Sequence, residues 1–508
     1  MVALPALAAA TDATRGLAWP YDVDFYREIA QAEVFAAGDW GSEAFYLEER
    51  LWYPPLGPAL VATVAGASGL PIPFVYARIG PFANFAAPVF LYLLARRAFG
   101  PVAALAATID YIYLRASWLP GWAAGSYSPW LHGGNLSQVF FLGSLWAYHA
   151  ALERPARRRY AAAGIGLALA ALAHASAALI LGGVVATSAV LELRHAAKRR
   201  TAACSHLLLL LCSGLVLAPY LALLAGHYWN GVLNAAPAQW VWHGASSWSL
   251  VARQLGWALL LVPVGLWTLA MRRSGRGERL VLLWLGICCG LIAASAVVSL
   301  VPLHHLVAYL RLCLSIVVGV GAAALLGRLV PFPGSAVRRW APLAAAGLAA
   351  VALLPSYAGR RDQGRARSTA ERLGSRSNRL EAYAWLREHA PPRSVVLASD
   401  ELSMQVAAPA GCRVVAVPSL WASPFVDNEA RRRDRRALLA ALEDGDPERF
   451  CALASRYGLT HILRARREGR LPGVGVRPLL TRAFDNGKIY VESVDGCPTS
   501  AADAARGS

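Results

Sequence analysis

Between residues 75 and 357 the chain alternates long apolar runs with short, arginine-rich breaks. An apolar run of about 20 residues can cross a bilayer as a helix, which satisfies its own backbone hydrogen bonds there. Repeated along most of a chain, this pattern leaves one class: the polytopic α-helical membrane proteins. Composition agrees, with 56% hydrophobic and only 16% charged residues, where soluble proteins carry about a quarter charged. Residues 358–508 have no run long enough to span and are rich in Arg, Asp and Glu. They read as one soluble domain behind a membrane domain of residues 1–357.

The net charge of +18 raises nucleic acid as a partner, but the position of the charge argues against it. Basic residues cluster in loops: Arg96–Arg97, 153–159, 194–200, 272–279 and 328–339. Such clusters mark the cytoplasmic side. Spans between them must run out and back in pairs, which gives helices near 74–95, 101–118, 136–152, 160–174, 176–193, 202–224, 252–271, 280–299, 305–327 and 340–357, a bundle of about 10–11 helices. Residues 1–73 and the tail then both lie outside the cytoplasm. An outside N-terminus needs a helix to bring it there. The opening ten residues are too short to span and lack the charged start of a signal peptide, so a first transmembrane helix is expected to be missing.

Outside loops at 115–135 and 226–248 concentrate Trp, Tyr and His. That pattern suits an interfacial aromatic belt or a platform for sugars and headgroups. The tail alternates helix and strand signals: a helix near 378–391, strands at "SVVLAS" and "RVVAVPS", two helices over 435–458, and strands at "THILRA" and "KIYVESV". This is a small α/β domain without a glycine-rich phosphate loop. Of the tail cysteines Cys412, Cys451 and Cys497, two could pair outside the cytoplasm, leaving one over.

The stretch "YDVDFYREIAQAEVFAAGDW" (21–40) gathers Asp22, Asp24, Glu28, Glu33 and Asp39 in a chain with only 31 acidic residues. On a helix starting near Val23, residues Tyr26, Ile29, Ala30 and Val34 share one face. Asp22 sits just before it, as a capping carboxylate would. Carboxylates beside a membrane also serve to take a proton or hold a divalent metal. Glu28 and Glu33 read as solvated helix charges. Next, Tyr53-Pro54-Pro55-Leu56 forms a rigid turn, and 57–68 suits a helix lying in the interface.

The ordered series Asp22, Tyr26, Glu28-Ile29, Gly38-Asp39-Trp40, Tyr53-Pro54-Pro55-Leu56, Arg78 and "LLARRAFG" (93–100) resembles the N-terminal third of the GT-C superfamily of polyprenyl-phosphate-dependent glycosyltransferases. The likeness is to lipid A aminoarabinose transferases and protein O-mannosyltransferases, whose "K-P-P-L" is here Tyr53-Pro54-Pro55-Leu56. The remainder agrees in general plan.

The resemblance implies an inverting transfer of a sugar from a polyprenyl-phosphate donor to an extracytoplasmic acceptor, a cell-envelope glycan, lipid or protein. It places the chain as a multi-pass protein of a bacterial inner (plasma) membrane. Asp22, with Asp24 beside it, would be general base on the acceptor hydroxyl or orient it, directly or through a divalent metal (Mg or Mn); no cofactor is fixed by the pattern. Tyr26 and Tyr53 belong to the matched motifs and are substrate-binding candidates. The leaving lipid phosphate needs a cation. Arg311, a lone charge in an apolar helix, is the first choice, with Arg78 and Arg115 behind it. His304, His305 and His174 stand at outward helix ends and could assist. The family's second loop carboxylate has no counterpart: "WLHGGNLSQVFF" offers His132 and Asn135 instead. Two further classes stay open, a transporter or flippase for lipid-linked glycans and a non-catalytic envelope assembly protein of the same shape.

Overall fold

The computed structural model describes residues 2–22, 24–113, 125–195, 199–229, 231–234, 256–272, 275–297, 303–329, 367–372, 376–468 and 471–497. The expected helix 340–357, Arg115 and most of the second aromatic loop lie outside the described residues. The N-terminal part runs α1 (Leu4–Thr14), α2 (Asp24–Ala36), α3 (Leu56–Ser68), α4 (Ile72–Ala83), α5 (Ala86–Phe99) and α6 (Pro101–Tyr113). It continues with α7 (Gly133–Glu153), α8 (Arg157–Ala173), α9 (Ala175–His195), α10 (Arg199–His227), α11 (Leu261–Met271), α12 (Arg276–Val297) and α13 (Leu303–Leu329).

Five of the described helical stretches are long and apolar enough to cross a membrane: Ile72–Phe99, Ala175–Arg194, Arg199–His227, Arg276–Ser295 and Leu303–Arg328. The first combines α4 and α5, expected as one helix near 74–95 and here broken at Asn84–Phe85. Lipid is as apolar as leucine, so helices associate through close packing rather than by escaping water. Gly319 of α13 meets the backbone of Ala103 in α6, where a Cβ would collide. At the bundle centre the rings of Phe141 and Tyr309 lie 4.9 Å apart, as do those of Phe141 and Trp284. Conversely, α10 leaves Leu207, Leu210, Leu211 and Leu215 exposed, a face suited to hydrocarbon.

The arginine-rich breaks meet at one end of the bundle. Arg97 Nε is 2.5 Å from Glu153 Oε2, Arg276 donates to the Glu153 carbonyl at 3.4 Å, and Arg276 and Arg279 share a small cleft with Glu192.

The tail folds into α14 (Ser377–His389), β1 (Val395–Leu397), β2 (Arg413–Val414), α15 (Asn428–Asp444), α16 (Pro447–Tyr457), β3 (Leu459–Ala465), β4 (Leu480–Asp485) and β5 (Ile489–Val494). The sheet order is β2-β1-β3-β5-β4, with β2, β1 and β3 parallel and β5 antiparallel to both β3 and β4. Local sequence explains the helical corner. Gly445, at φ +77°, ends α15, Asp446 then accepts the backbone N–H of Arg449, and Pro447 begins α16, each residue where its backbone preference puts it. Strand β4 lacks the buried alternation a strand pattern needs: four of its six residues are exposed, and its register shifts between Arg482 and Phe484. Cys451 and Cys497 form a disulfide, leaving Cys412 free and buried.

The tail is not hung separately from the rest. One continuous apolar core joins Phe25, Ile29, Phe45 and Tyr76 to Leu386, Val396, Val406 and Val414. The backbone N–H of Val414 donates to the Phe45 carbonyl at 2.7 Å, and Tyr46 Oη donates to Asn428 Oδ1 at 2.5 Å. Helix α2 is therefore clamped between bundle and tail.

Candidate active site

The site is built at the bundle end opposite the arginine loops, around the N-terminus of α2. Asp22 is half-buried and accepts the Asp24 N–H at Oδ1, 3.2 Å away. Asp24 Oδ1 accepts the indole Nε1–H of Trp421 from the tail at 2.8 Å. The residue just before Asp22 connects to α7: Tyr21 Oη lies 3.2 Å from His132 Nε2, and His132 stacks on Phe25 at 4.5 Å.

His132 is held in place by a crossing that only a small residue permits. Helix α4 passes the 125–132 loop at Gly80, where a Cβ would strike the Pro129 carbonyl. Asn84 Nδ2 then donates to the carbonyls of Ser128 and Trp130, both at 2.9 Å. Asn135, one turn into α7, is buried and donates to the Ser126 carbonyl at 3.4 Å, while its Oδ1 has no partner.

Three histidines face α2 from the other side. His174, between α8 and α9, packs on His305 at 4.3 Å, and His305 on His304 at 4.0 Å. His174 Nδ1 accepts the Ser176 N–H at 3.3 Å. Burial, reinforced by the nearby Arg27 charge, lowers its pKa to about 4, so it is neutral near pH 7.

Sequence reasoning passed over Arg27. Its guanidinium lies 3.5 Å over the Tyr53 ring and 5.5 Å from Trp52, and its Nε is buried without an acceptor. Arg27 lies on α2 and Tyr53 in the turn before α3, so the structure brings a cation onto the Tyr53-Pro54-Pro55-Leu56 turn. The i-to-i+26 separation hides this pairing from any local pattern.

Glu28 and Glu33 are not solvated charges. Glu28 is buried against α3 and α4, and its Oε2 is unpartnered. Burial raises its pKa to about 8, with Arg27 opposing and Asp24 adding to the rise. Glu33 is raised to about 7 by burial, opposed by Arg387, whose Nε is 3.3 Å away. The amphipathic pattern places Ile29 and Val34 on the buried face correctly, but α3 and α4 also enclose Glu28 and the tail covers Glu33.

Tyr26 is buried, its ring 5.9 Å from Trp19. Burial raises its pKa, while the Trp19 hydrogen bond, Arg376 and Arg379 lower it and Asp22 raises it. Arg78 donates to the Leu17 carbonyl at 2.8 Å and lies 4.0 Å over Phe74, pinning the N-terminal loop.

Arg311 is not the lone charge its sequence context suggested. It is 1% exposed and paired with Asp110 at 2.6 Å, with a second donor on the Asp110 carbonyl at 3.0 Å and Ser315 as a further partner. A charge this deep is retained only when paired. The sequence showed Asp110 inside a helix but not which residue faced it. Among the described residues no group of three or more His, Cys, Asp or Glu side chains comes together as a metal-binding set.

The fold is a helical membrane bundle whose first segment carries acidic residues on and before α2, beneath a C-terminal α/β domain. Two solved structures share it over nearly the whole chain. ArnT from Cupriavidus metallidurans, bound to undecaprenyl phosphate, matches with a TM-score of 0.55 at 15% identity over 97% of each chain. The archaeal oligosaccharyltransferase AglB from Archaeoglobus fulgidus, in complex with an inhibitory peptide and a dolichol-phosphate, matches with a TM-score of 0.53 at 13% identity, covering 91% of this chain and 69% of that one. At these identities the likeness establishes the fold. No protein-family model matches the sequence, and no curated protein matches it either.

Proposed function

We propose that the chain is an inverting glycosyltransferase that moves a sugar from a polyprenyl phosphate to an extracytoplasmic acceptor of the cell envelope. The observation that carries the reading is the convergence of Asp22, Arg27, His132 and His174 at one end of the bundle, beneath Trp421 of the tail. The two comparison proteins, one bound to undecaprenyl phosphate and one to a dolichol-phosphate, support a lipid-linked donor.

In this mechanism the Asp22 carboxylate accepts the proton of the acceptor hydroxyl as its oxygen attacks the anomeric carbon. The bond from that carbon to the phosphate oxygen breaks, and the electron pair leaves with the lipid phosphate. That group needs positive charge rather than a proton. Arg27, with its fork of donors and its position beside Tyr53, takes the role first given to Arg311. Neutral His174 offers a hydrogen bond to sugar or phosphate without adding charge. The described residues do not form a metal set around Asp22, so no step is routed through a metal. A bacterial inner-membrane location with the tail outside is supported by the gathering of arginine loops at the far end and by the Cys451–Cys497 pair, which belongs in an oxidising compartment.

The test is transfer by the reconstituted protein from a polyprenyl-phosphate sugar, with Asp22→Asn. Transfer should fall about 10²- to 10⁴-fold with donor binding intact. Unchanged turnover removes Asp22 as base. Movement of labelled lipid across liposomes without sugar transfer would establish the flippase in place of the enzyme.

A further inference from the structure

The C-terminal domain carries a cleft of about 570 Å³ that the reaction described above does not use. Its walls are the start of α14, the end of β3 and the turn between β4 and β5. Arg376, Arg379, Arg466, Arg467 and Lys488 line it, against two carboxylates, Glu401 and Glu468. Glu401 is already engaged by Arg379 at 2.8 Å and Arg376 at 3.9 Å. Arg466 is paired with Asp485 at 2.5 Å. Arg467 and Lys488 are exposed and have no ion pair among the described residues.

The backbone fixes this charge in place. The Arg466 N–H donates to the Lys488 carbonyl at 2.8 Å, just beyond the last β3–β5 pair, Ala465 and Ile489. The turn before Lys488 needs Gly487 at φ +81°, and Asn486 ties it to α14 through the Asn378 carbonyl at 2.8 Å. The 13-residue helix α14 begins at the cleft with no side chain capping it, adding the positive end of its dipole.

The cleft also connects to the reaction centre. Tyr383 of α14 packs on Trp19 at 5.0 Å, and Trp19 reaches Tyr26, four residues beyond Asp22. We propose that this cleft seats an anionic group, a phosphate or carboxylate, of an acceptor glycan whose reactive hydroxyl lies at Asp22. The volume is in the range of small-molecule sites, about 300–1,000 Å³. The lining is cationic and polar, with Leu402 and Ile489 as its large apolar members. That favours a charged saccharide over a hydrocarbon chain or an apolar peptide. The assignment as an acceptor site rests on the glycosyltransferase reading; anion binding itself does not.

Full-length protein in nanodiscs is titrated with phosphorylated dextran oligomers, oligogalacturonate and neutral dextran of equal length. At least one anionic oligomer should bind, more weakly as salt rises, and neutral dextran should not. The pair Arg467→Gln/Lys488→Gln, on exposed side chains, should weaken binding about tenfold with an unchanged melting temperature. Arg467→Glu/Lys488→Glu should weaken it further. Equal binding of neutral dextran, no binding of either anionic oligomer, or unchanged affinity in both variants overturns the proposal. So does a preference for phosphatidylglycerol vesicles that depends on the same two residues, which would make the cleft a headgroup site. Binding is read without turnover, and Asp22→Asn should retain it. Loss of the enzymatic reading with glycan binding intact is therefore distinguishable from failure of the cleft.

Discussion

Trp421 of the C-terminal domain donates its indole N–H to the Asp24 carboxylate across 397 residues of sequence. Through this bond the tail reaches over the N-terminus of α2, two residues from Asp22. It also engages Asp24 in the fold, consistent with Asp22 as the base in the proposed mechanism. Trp421→Phe keeps the ring and removes the donor. A hydrogen bond to a charged group contributes about 1.5–3 kcal/mol, so kcat/KM should fall about 10- to 100-fold. Circular dichroism should show the fold retained. Unchanged kinetics would show that the tail covers the site without positioning it.

Arg27 lies over Tyr53 and Arg311 is paired with Asp110; the proposed mechanism gives the lipid phosphate to Arg27, and two sets of variants test the two arginines. Arg27→Gln should raise KM for the lipid donor and lower kcat. Arg27→Lys should recover only part of the loss, because an ammonium cannot reproduce a stacked, forked contact. Full activity in Arg27→Gln would return the search for the phosphate cation to other residues.

The Asp110–Arg311 pair predicts a different signature. Removing one partner of a buried pair costs about 3–5 kcal/mol, whereas replacing both by apolar residues is often neutral. Arg311→Met alone should lower the melting temperature in detergent. Asp110→Leu/Arg311→Met should restore stability and retain transfer. A stable but inactive double variant would place Arg311 in the chemistry.

Glu28 should make stability fall as pH rises. Its ordinary pKa of 4.5 is raised to about 8 in the folded chain. Between these values the folded state holds a proton that the unfolded state has lost, so stability declines across that window and levels off above about 8. Glu28→Gln removes the titration. At pH 7 it should recover on the order of 3 kcal/mol, seen as a higher melting temperature at pH 7–8 and little change at pH 5. A parallel pH profile in the variant would show that Glu28 is not the group responsible.

The membrane class and most of the described helices and strands, near their observed ends, are legible in the sequence. These follow from local properties: runs of apolar residues, arginine at one end of spans, prolines that fix a turn. The helix from Asp24 to Ala36 and the short helix from Leu56 to Ser68 belong here. Tertiary structure alone decided who faces whom. Glu28 reads as exposed on a helix wheel because a wheel knows one buried face, and here α3 and α4 enclose a second. Arg311 reads as a lone charge because its partner sits 201 positions away. Arg27 reads as an ordinary helix charge until Tyr53 lies beneath it. The physical reason is common to all three: solvation and charge pairing are set by neighbours in space, and the chain brings them from elements that share no local pattern.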